Sequence, residues 1–207
     1  MKNFITVEGC DGVGKTAQIQ MLKKYCAQKN FNVLFTREPG GCPIAEKIRE
    51  IILDANNKEM SDLCEALLYA AARAQHLNDT IIPALKEGKT VICDRFIDSS
   101  YAYQGVARGI GLEKIQTLNA VAVGEYMPQY TVFLDLAPDK AFERKGGADQ
   151  NNRLEAQAFD MHKKVYKGYL EVIAREPERF IVIDASGEKH DTHQKIVKAL
   201  LIRGILK

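Results

Sequence analysis

The stretch Phe4-Ile5-Thr6-Val7-Glu8-Gly9-Cys10-Asp11-Gly12-Val13-Gly14-Lys15-Thr16 decides the reading of this chain. Its second half has the form G-x-x-x-x-G-K-[ST]. Its first half is a short apolar run of strand character, and residues of helical character follow. This is the setting that gives the pattern meaning. Backbone N–H groups of such a loop wrap phosphates, and the N-terminus of the following helix adds positive potential. Lys15 then reaches the β- and γ-phosphates of a nucleotide, and the Thr16 hydroxyl is a ligand for Mg²⁺. The expected nucleotide-binding positions are Gly9, Cys10, Asp11, Gly12, Val13, Gly14, Lys15 and Thr16.

Outward from this loop, strand and helix alternate. Strand candidates are 4–8, 32–37, 90–94, 131–136 and 180–184, each rich in Val, Ile, Phe or Leu, as strands covered on both faces require. Helical stretches are expected at 15–29, 44–53, 62–86, 113–123, 154–175 and 192–203. Strands separated by helices predict an α/β fold with a parallel sheet and right-handed crossovers. No repeat or linker divides the chain, so residues 1–207 read as a single domain. The polar, Gly-containing segment Gly146-Gly147-Ala148-Asp149-Gln150-Asn151-Asn152 reads as a flap between helices.

Composition narrows the classes. The chain has 207 residues, 46% of them hydrophobic, enough for one α/β domain with a sizeable core. A net charge of +2 without a basic stretch argues against a nucleic-acid polymer as partner. No apolar run approaches ~20 residues, so no membrane span is expected. Met1-Lys2-Asn3 leads straight into a strand without a signal-peptide core. Cys10, Cys26, Cys42, Cys64 and Cys93 lack paired spacing and read as reduced thiols of a cytoplasmic enzyme.

Parallel α/β sheets place ligands beyond the C-terminal ends of their strands. There the second strand delivers Arg37-Glu38-Pro39-Gly40-Gly41. The third delivers Asp94-Arg95-Phe96, then Asp98-Ser99-Ser100-Tyr101-Ala102-Tyr103-Gln104-Gly105. Arginine binds phosphate bidentately. Each arginine alone reads as a surface ion pair; two at one sheet edge, beside a loop that already holds phosphates, suggest a second phosphorylated ligand.

These three motifs resemble those of bacterial thymidylate kinases, and the resemblance runs from the first strand to the helix near Tyr169. It implies a three-layer P-loop nucleotide kinase fold, a five-stranded parallel sheet with helices on both faces, and a homodimer. It implies transfer of the γ-phosphoryl of Mg·ATP to dTMP, giving dTDP and ADP in dTTP synthesis. Carried over residue by residue, Arg95 holds the dTMP phosphate with Arg37 near it, and Asp11 approaches the 3′-hydroxyl. Tyr69 stacks on thymine while Arg73 bonds its carbonyl edge; the i, i+4 spacing puts both on one helix face. Without the motif, Tyr69 reads as a core aromatic. Ser100, Tyr103 and Gln104 complete the nucleoside pocket. Asp94 is the expected Mg²⁺ carboxylate beside Thr16, with Asp135 as the other strand-end candidate. The acceptor is an already anionic phosphate oxygen, so no general base is needed.

The chain also departs from that family. Some members carry a catalytic arginine in the phosphate loop, where Gly12 stands here. Others supply it from a lid matching about 142–153, and Arg144 or Arg153 are the candidates, each expected to act alongside Lys15 and Arg95 as catalytic residues. A mobile cation of this kind can be worth ~10³-fold or more. Cys10, at a helix N-terminus, is a candidate reactive thiolate, against the reading that its side chain points away. Two rivals are a P-loop kinase for another nucleoside monophosphate and a GTP-driven switch. The switch lacks an N-K-x-D motif, and Asp184-Ala185-Ser186-Gly187 falls too late in the chain to serve as its D-x-x-G; in the kinase reading that loop flanks the adenine.

Overall fold

A computed structural model describes residues 3–144 and 153–206, the side chains of 153–158 excepted. Among these residues the strands β1 (Phe4–Glu8), β2 (Val33–Arg37), β3 (Thr90–Asp94), β4 (Tyr130–Asp135) and β5 (Phe180–Asp184) form one parallel sheet in the order β2-β3-β1-β4-β5. The central strand β1 is buried at every residue, and its neighbours β3 and β4 nearly so, which accounts for their unbroken apolar sequences. Register sets Val7 beside Asp94 and Arg37 beside Asp94, so these strand ends open on one edge. The order reverses at β1, between β3 and β4, and the phosphate loop leaves the sheet there, at the crevice where such folds bind ligands.

The loop runs into α1 (Lys15–Gln28), with Gly14 in the left-handed region at φ 94° as the residue before the helix. α2 (Pro43–Leu53) starts on Pro43, whose missing N–H costs nothing at a first turn. Ser61 caps α3 (Asp62–His76) by accepting from the Cys64 N–H at 3.2 Å. The sequence predicts one helix over 62–86. Instead, α3 passes through a π-helical turn at Leu77–Ile81 before α4 (Ile82–Lys86). Pro83 has no N–H for the α-helical ladder, and a wider turn just ahead of it absorbs that loss.

The third motif is helical, which its sequence does not announce. α5 (Ile97–Ser100) continues into a second π-helical stretch, Tyr101–Ala107. α6 (Leu112–Val123), α7 (Pro138–Arg144), α8 (Arg153–Arg175) and α9 (Lys189–Ile202) follow. α8 lies directly on the second π stretch. A Cβ on Gly168 would stand 2.8 Å from the Ala102 Cα, so only glycine permits this approach. The core on both sheet faces is continuous and includes Phe4, Ile5, Phe96, Phe133 and Tyr169. No described helix is long and apolar enough to cross a membrane.

Candidate active site

A cavity of about 430 Å³ opens at the C-terminal ends of β1, β2 and β3. The phosphate loop and α1 give it Asp11, Lys15 and Thr16, and the ends of β2 and β3 give it Arg37, Asp94 and Arg95. The helical wall adds Tyr69 and Arg73 from α3, then Ser100, Tyr103 and Gln104 from the third motif. Sequence positions as far apart as 11 and 104 therefore meet around one space.

Lys15 is buried, with Nζ donating to the Gly9 and Cys10 carbonyls at 3.0 and 3.2 Å. Burial, helped by the nearby Arg95 charge, lowers its ammonium to about 8. Thr16 and Asp94 stand beside it. Asp94 Oδ1 is buried with no hydrogen-bond partner among the described residues, a hard oxygen donor left over. No group of three His, Cys, Asp or Glu able to hold a metal occurs among those residues. One threonine hydroxyl and one carboxylate suit Mg²⁺, which keeps waters and takes its other ligands from substrate phosphates.

Arg95 occupies the left-handed region at φ 63°, uncommon for a non-glycine residue and often associated with functional positions. Its N–H donates to the Val7 carbonyl at 3.1 Å, which pins the turn to β1. Its guanidinium reaches Asp11 at 2.6 Å, the Ser99 hydroxyl at 3.2 Å and the Tyr169 hydroxyl at 3.1 Å, and lies over the Tyr103 ring. Arg37 is more exposed, paired with Glu46 at 2.9 Å at the rim.

Arg73 is 1% exposed, unusual for an arginine. Its Nε donates to Glu38 Oε2 at 2.9 Å, Nη1 to Asn119 Oδ1, and Nη2 to Ser100 Oγ at 3.1 Å and the Phe96 carbonyl at 3.2 Å. Glu38 is held in turn by His76 Nδ1 at 3.1 Å, and His76 Nε2 contacts the Thr36 hydroxyl at 2.7 Å. Four of the five guanidinium N–H groups are thereby spent, leaving one on Nη1 for an acceptor in the cavity. The Gln104 amide nitrogen donates one hydrogen to Glu65 at 2.8 Å, which fixes the amide at the cavity wall.

Several functional side chains lie outside the sequence reading. Asn119 anchors Arg73 and bonds the Ile115 carbonyl at 2.9 Å; its signal was a lone polar residue on the buried stripe of α6. Glu38 sits inside a quoted motif without an assigned role. Arg49 lines the cavity and donates to the Pro39 carbonyl at 2.8 Å, with nothing in sequence to place it there. The motif residue Asp98 points away from the cavity and binds Arg179 at 2.6 Å, tying the third motif to the turn that leads into β5.

Two expectations change. Cys10 is completely buried, and burial pushes its thiol up to about 12, so the reactive-thiolate reading fails: its side chain faces the core. The Arg144 guanidinium does not enter the cavity. It donates to the Ala185 and Ser186 carbonyls at 2.9 and 3.1 Å, beyond β5. The Arg153 side chain and residues 145–152 lie outside the described residues. Asp135 accepts from the Tyr166 hydroxyl at 2.8 Å and thus anchors α8. Gly12 has a structural reason to lack a side chain: at φ 86° its Cβ would collide with the Ala141 carbonyl of α7.

A family model described as thymidylate kinase matches residues 7–196. A thymidylate kinase of Bacillus velezensis is 48% identical over 203 residues, covering 95% of this chain and 96% of that protein. One from a Thermoanaerobacter species is 45% identical over 194 residues, covering 94% and 95%. The crystal structure of thymidylate kinase from Ehrlichia chaffeensis superimposes with a TM-score of 0.78 at 32% identity, covering 95% of this chain and 97% of that one. With the phosphate loop, the strand-end arginines and the buried Arg73 gathered around one cavity, the chain belongs to the thymidylate kinase family.

Proposed function

We propose that this protein transfers the γ-phosphoryl of ATP to dTMP in the cavity at the sheet edge, with Lys15 and Thr16 serving the donor and Arg95, Arg73 and Tyr69 the acceptor. The observation that carries the reading is the anchored Arg73 fork. One N–H remains on it, beside Tyr69, across the cavity from the phosphate loop. A fixed cationic donor favours a base with a carbonyl at that edge over one with an amino group, because the latter leaves two donors facing each other.

The chemistry is alignment and charge neutralisation. Lys15 holds the donor's terminal phosphates from within the loop. Arg95, with Arg37 at the rim, holds the acceptor phosphate, and Asp11 lies within reach of the sugar. Ser100, Tyr103 and Gln104 enclose the nucleoside. Thr16 and Asp94 would hold Mg²⁺, which would supply neutralisation of the donor's phosphate charge. Arg153 is the candidate cation for the transferring group, in a lid of about 142–153 over a single kinase domain. Arg144 secures the loop 185–187, the side assigned to adenine.

A homodimer in the cytoplasm completes the proposal. Its support is the row of exposed apolar side chains Ile51, Leu53, Leu63, Leu67 and Val121 on α2, α3 and α6, with α3 packed against both of the others.

The test is the initial rate of ADP formation with dTMP, dUMP, CMP, GMP and AMP at equal concentrations. dTMP is expected to lead, with CMP, GMP and AMP lower by about 10²-fold or more, as a site of buried polar groups demands. A purine or cytidine monophosphate matching dTMP would transfer the assignment to another acceptor.

A further inference from the structure

Glu8, at the end of β1, is fully buried and has no part in the chemistry above. Its Oε1 accepts from the Phe96 N–H at 2.7 Å. Its Oε2 accepts from the Ser99 hydroxyl at 2.7 Å and the Tyr169 hydroxyl at 2.8 Å. Both hydroxyls stand on their other side against Arg95 Nη1, at 3.2 and 3.1 Å. The two hydroxyls also stand 2.9 Å from each other. Arg95 only donates, so each hydroxyl turns a lone pair toward it; their protons go to the ionised carboxylate, which only accepts, or, for one of them, to the neighbouring hydroxyl.

We infer that Glu8 is the positioning residue of the acceptor-phosphate clamp: it acts through Ser99 and Tyr169 to fix the Arg95 guanidinium. The inference rests on the proposed role of Arg95 toward the phosphate of dTMP. An amide of the same shape breaks the device. With its oxygen on the Phe96 N–H, a glutamine would set its NH₂ against the two hydroxyls. These would then accept and swing their protons toward the guanidinium.

Protonation weakens the device as well: a carboxyl with its one proton on Oε2 donates to one of the two hydroxyls, which no longer has Glu8 as its acceptor. The titratable and charged groups facing Glu8 are Arg95 and Asp98 from the segment after β3, Tyr169 from α8, Tyr103 from the second π stretch, Lys15 from α1 and Cys93 from β3. Burial outweighs Arg95 and raises the Glu8 carboxyl to about 7. The clamp is therefore set above this pH and released as the pH falls through it.

Glu8→Gln is compared with the parent enzyme for KM of dTMP and of ATP between pH 6 and 8.5. At pH 8.5 the variant is expected to raise KM for dTMP roughly 10- to 100-fold, leaving KM for ATP within about twofold. The parent's KM for dTMP should rise on acidification beyond what ionisation of the dTMP phosphate near pH 6 accounts for, and the variant should keep only the phosphate's share. Ser99→Ala removes one of the two links and should raise KM for dTMP several-fold; it decides the matter if Glu8→Gln does not fold. A folded Glu8→Gln with the parent KM and pH profile, or a Ser99→Ala that leaves KM for dTMP unchanged, overturns the inference. A parent enzyme that does not phosphorylate dTMP overturns the proposed function instead.

Discussion

Lys15→Ala is expected to lower kcat by about 10³-fold or more while KM for dTMP stays within about threefold, because the lost cation faces charge that develops on the donor phosphates. The side chain is buried in its own loop, with Nζ against the Gly9 and Cys10 carbonyls, so it is positioned before any ligand arrives. Lys15→Arg should not restore the rate. A planar fork does not fit where a compact ammonium is held by two converging carbonyls. The pH dependence has a definite sign. With the free enzyme's ammonium lowered to about 8, its charge is lost as pH rises, so kcat/KM for ATP should fall above about pH 8. Steady-state kinetics with each substrate varied in turn at a saturating level of the other check both statements. A variant retaining a tenth of the parent kcat would remove Lys15 from the transferring phosphate.

Arg95→Ala is expected to raise KM for dTMP by about 10²-fold and to lower kcat as well, since a misplaced acceptor loses alignment along with affinity. KM for ATP should change little. The effect should exceed that of Arg37→Ala, because Arg37 is exposed at the rim and shared with Glu46, whereas Arg95 is held by Asp11, Ser99 and Tyr169. Arg95→Lys cannot reach all of these partners with one ammonium and should fall close to alanine. Arg73 is the less clean target. Removing it leaves Glu38 buried without its ion partner, a fault worth ~3–5 kcal/mol of stability that would mix folding with specificity. Equal changes in the two KM values for Arg95→Ala would assign the residue to the fold.

Much of this architecture is legible in the chain. The strands at 4–8, 90–94 and 180–184 match their expected bounds; for the first two, doubly covered strands have little choice of composition, and the edge strand 180–184 keeps the same apolar run. Helices end within a few residues of expectation where caps or glycines mark them. What is not legible is tertiary in origin. A π-helical turn has the same periodicity signal as the α-helix it interrupts, so neither Leu77–Ile81 nor Tyr101–Ala107 announces itself. Gly168 looks like a weak point in α8 until Ala102 is set against it.

For the site, the phosphate loop and strand ends bring together Lys15, Thr16 and Arg95 from first principles, while the choice of Asp94 over Asp135 came through resemblance. Tyr69 and Arg73 entered through resemblance, since spacing alone would have left them in the core. Asn119 and Glu38 lay beyond both routes, because a side chain that only orients another leaves no motif of its own. Arg144 went astray for a related reason. Charge and position in the sequence do not tell a guanidinium which carbonyls it will find.

The central claim is that one cavity holds donor and acceptor together, phosphate to phosphate. A single molecule joining adenosine to thymidine through a polyphosphate bridge tests it most directly, by inhibition kinetics against each substrate in turn and by binding stoichiometry. The predicted result is competition with both ATP and dTMP at one molecule per chain. Competition with only one of them, or binding of two molecules per chain, would contradict a shared site.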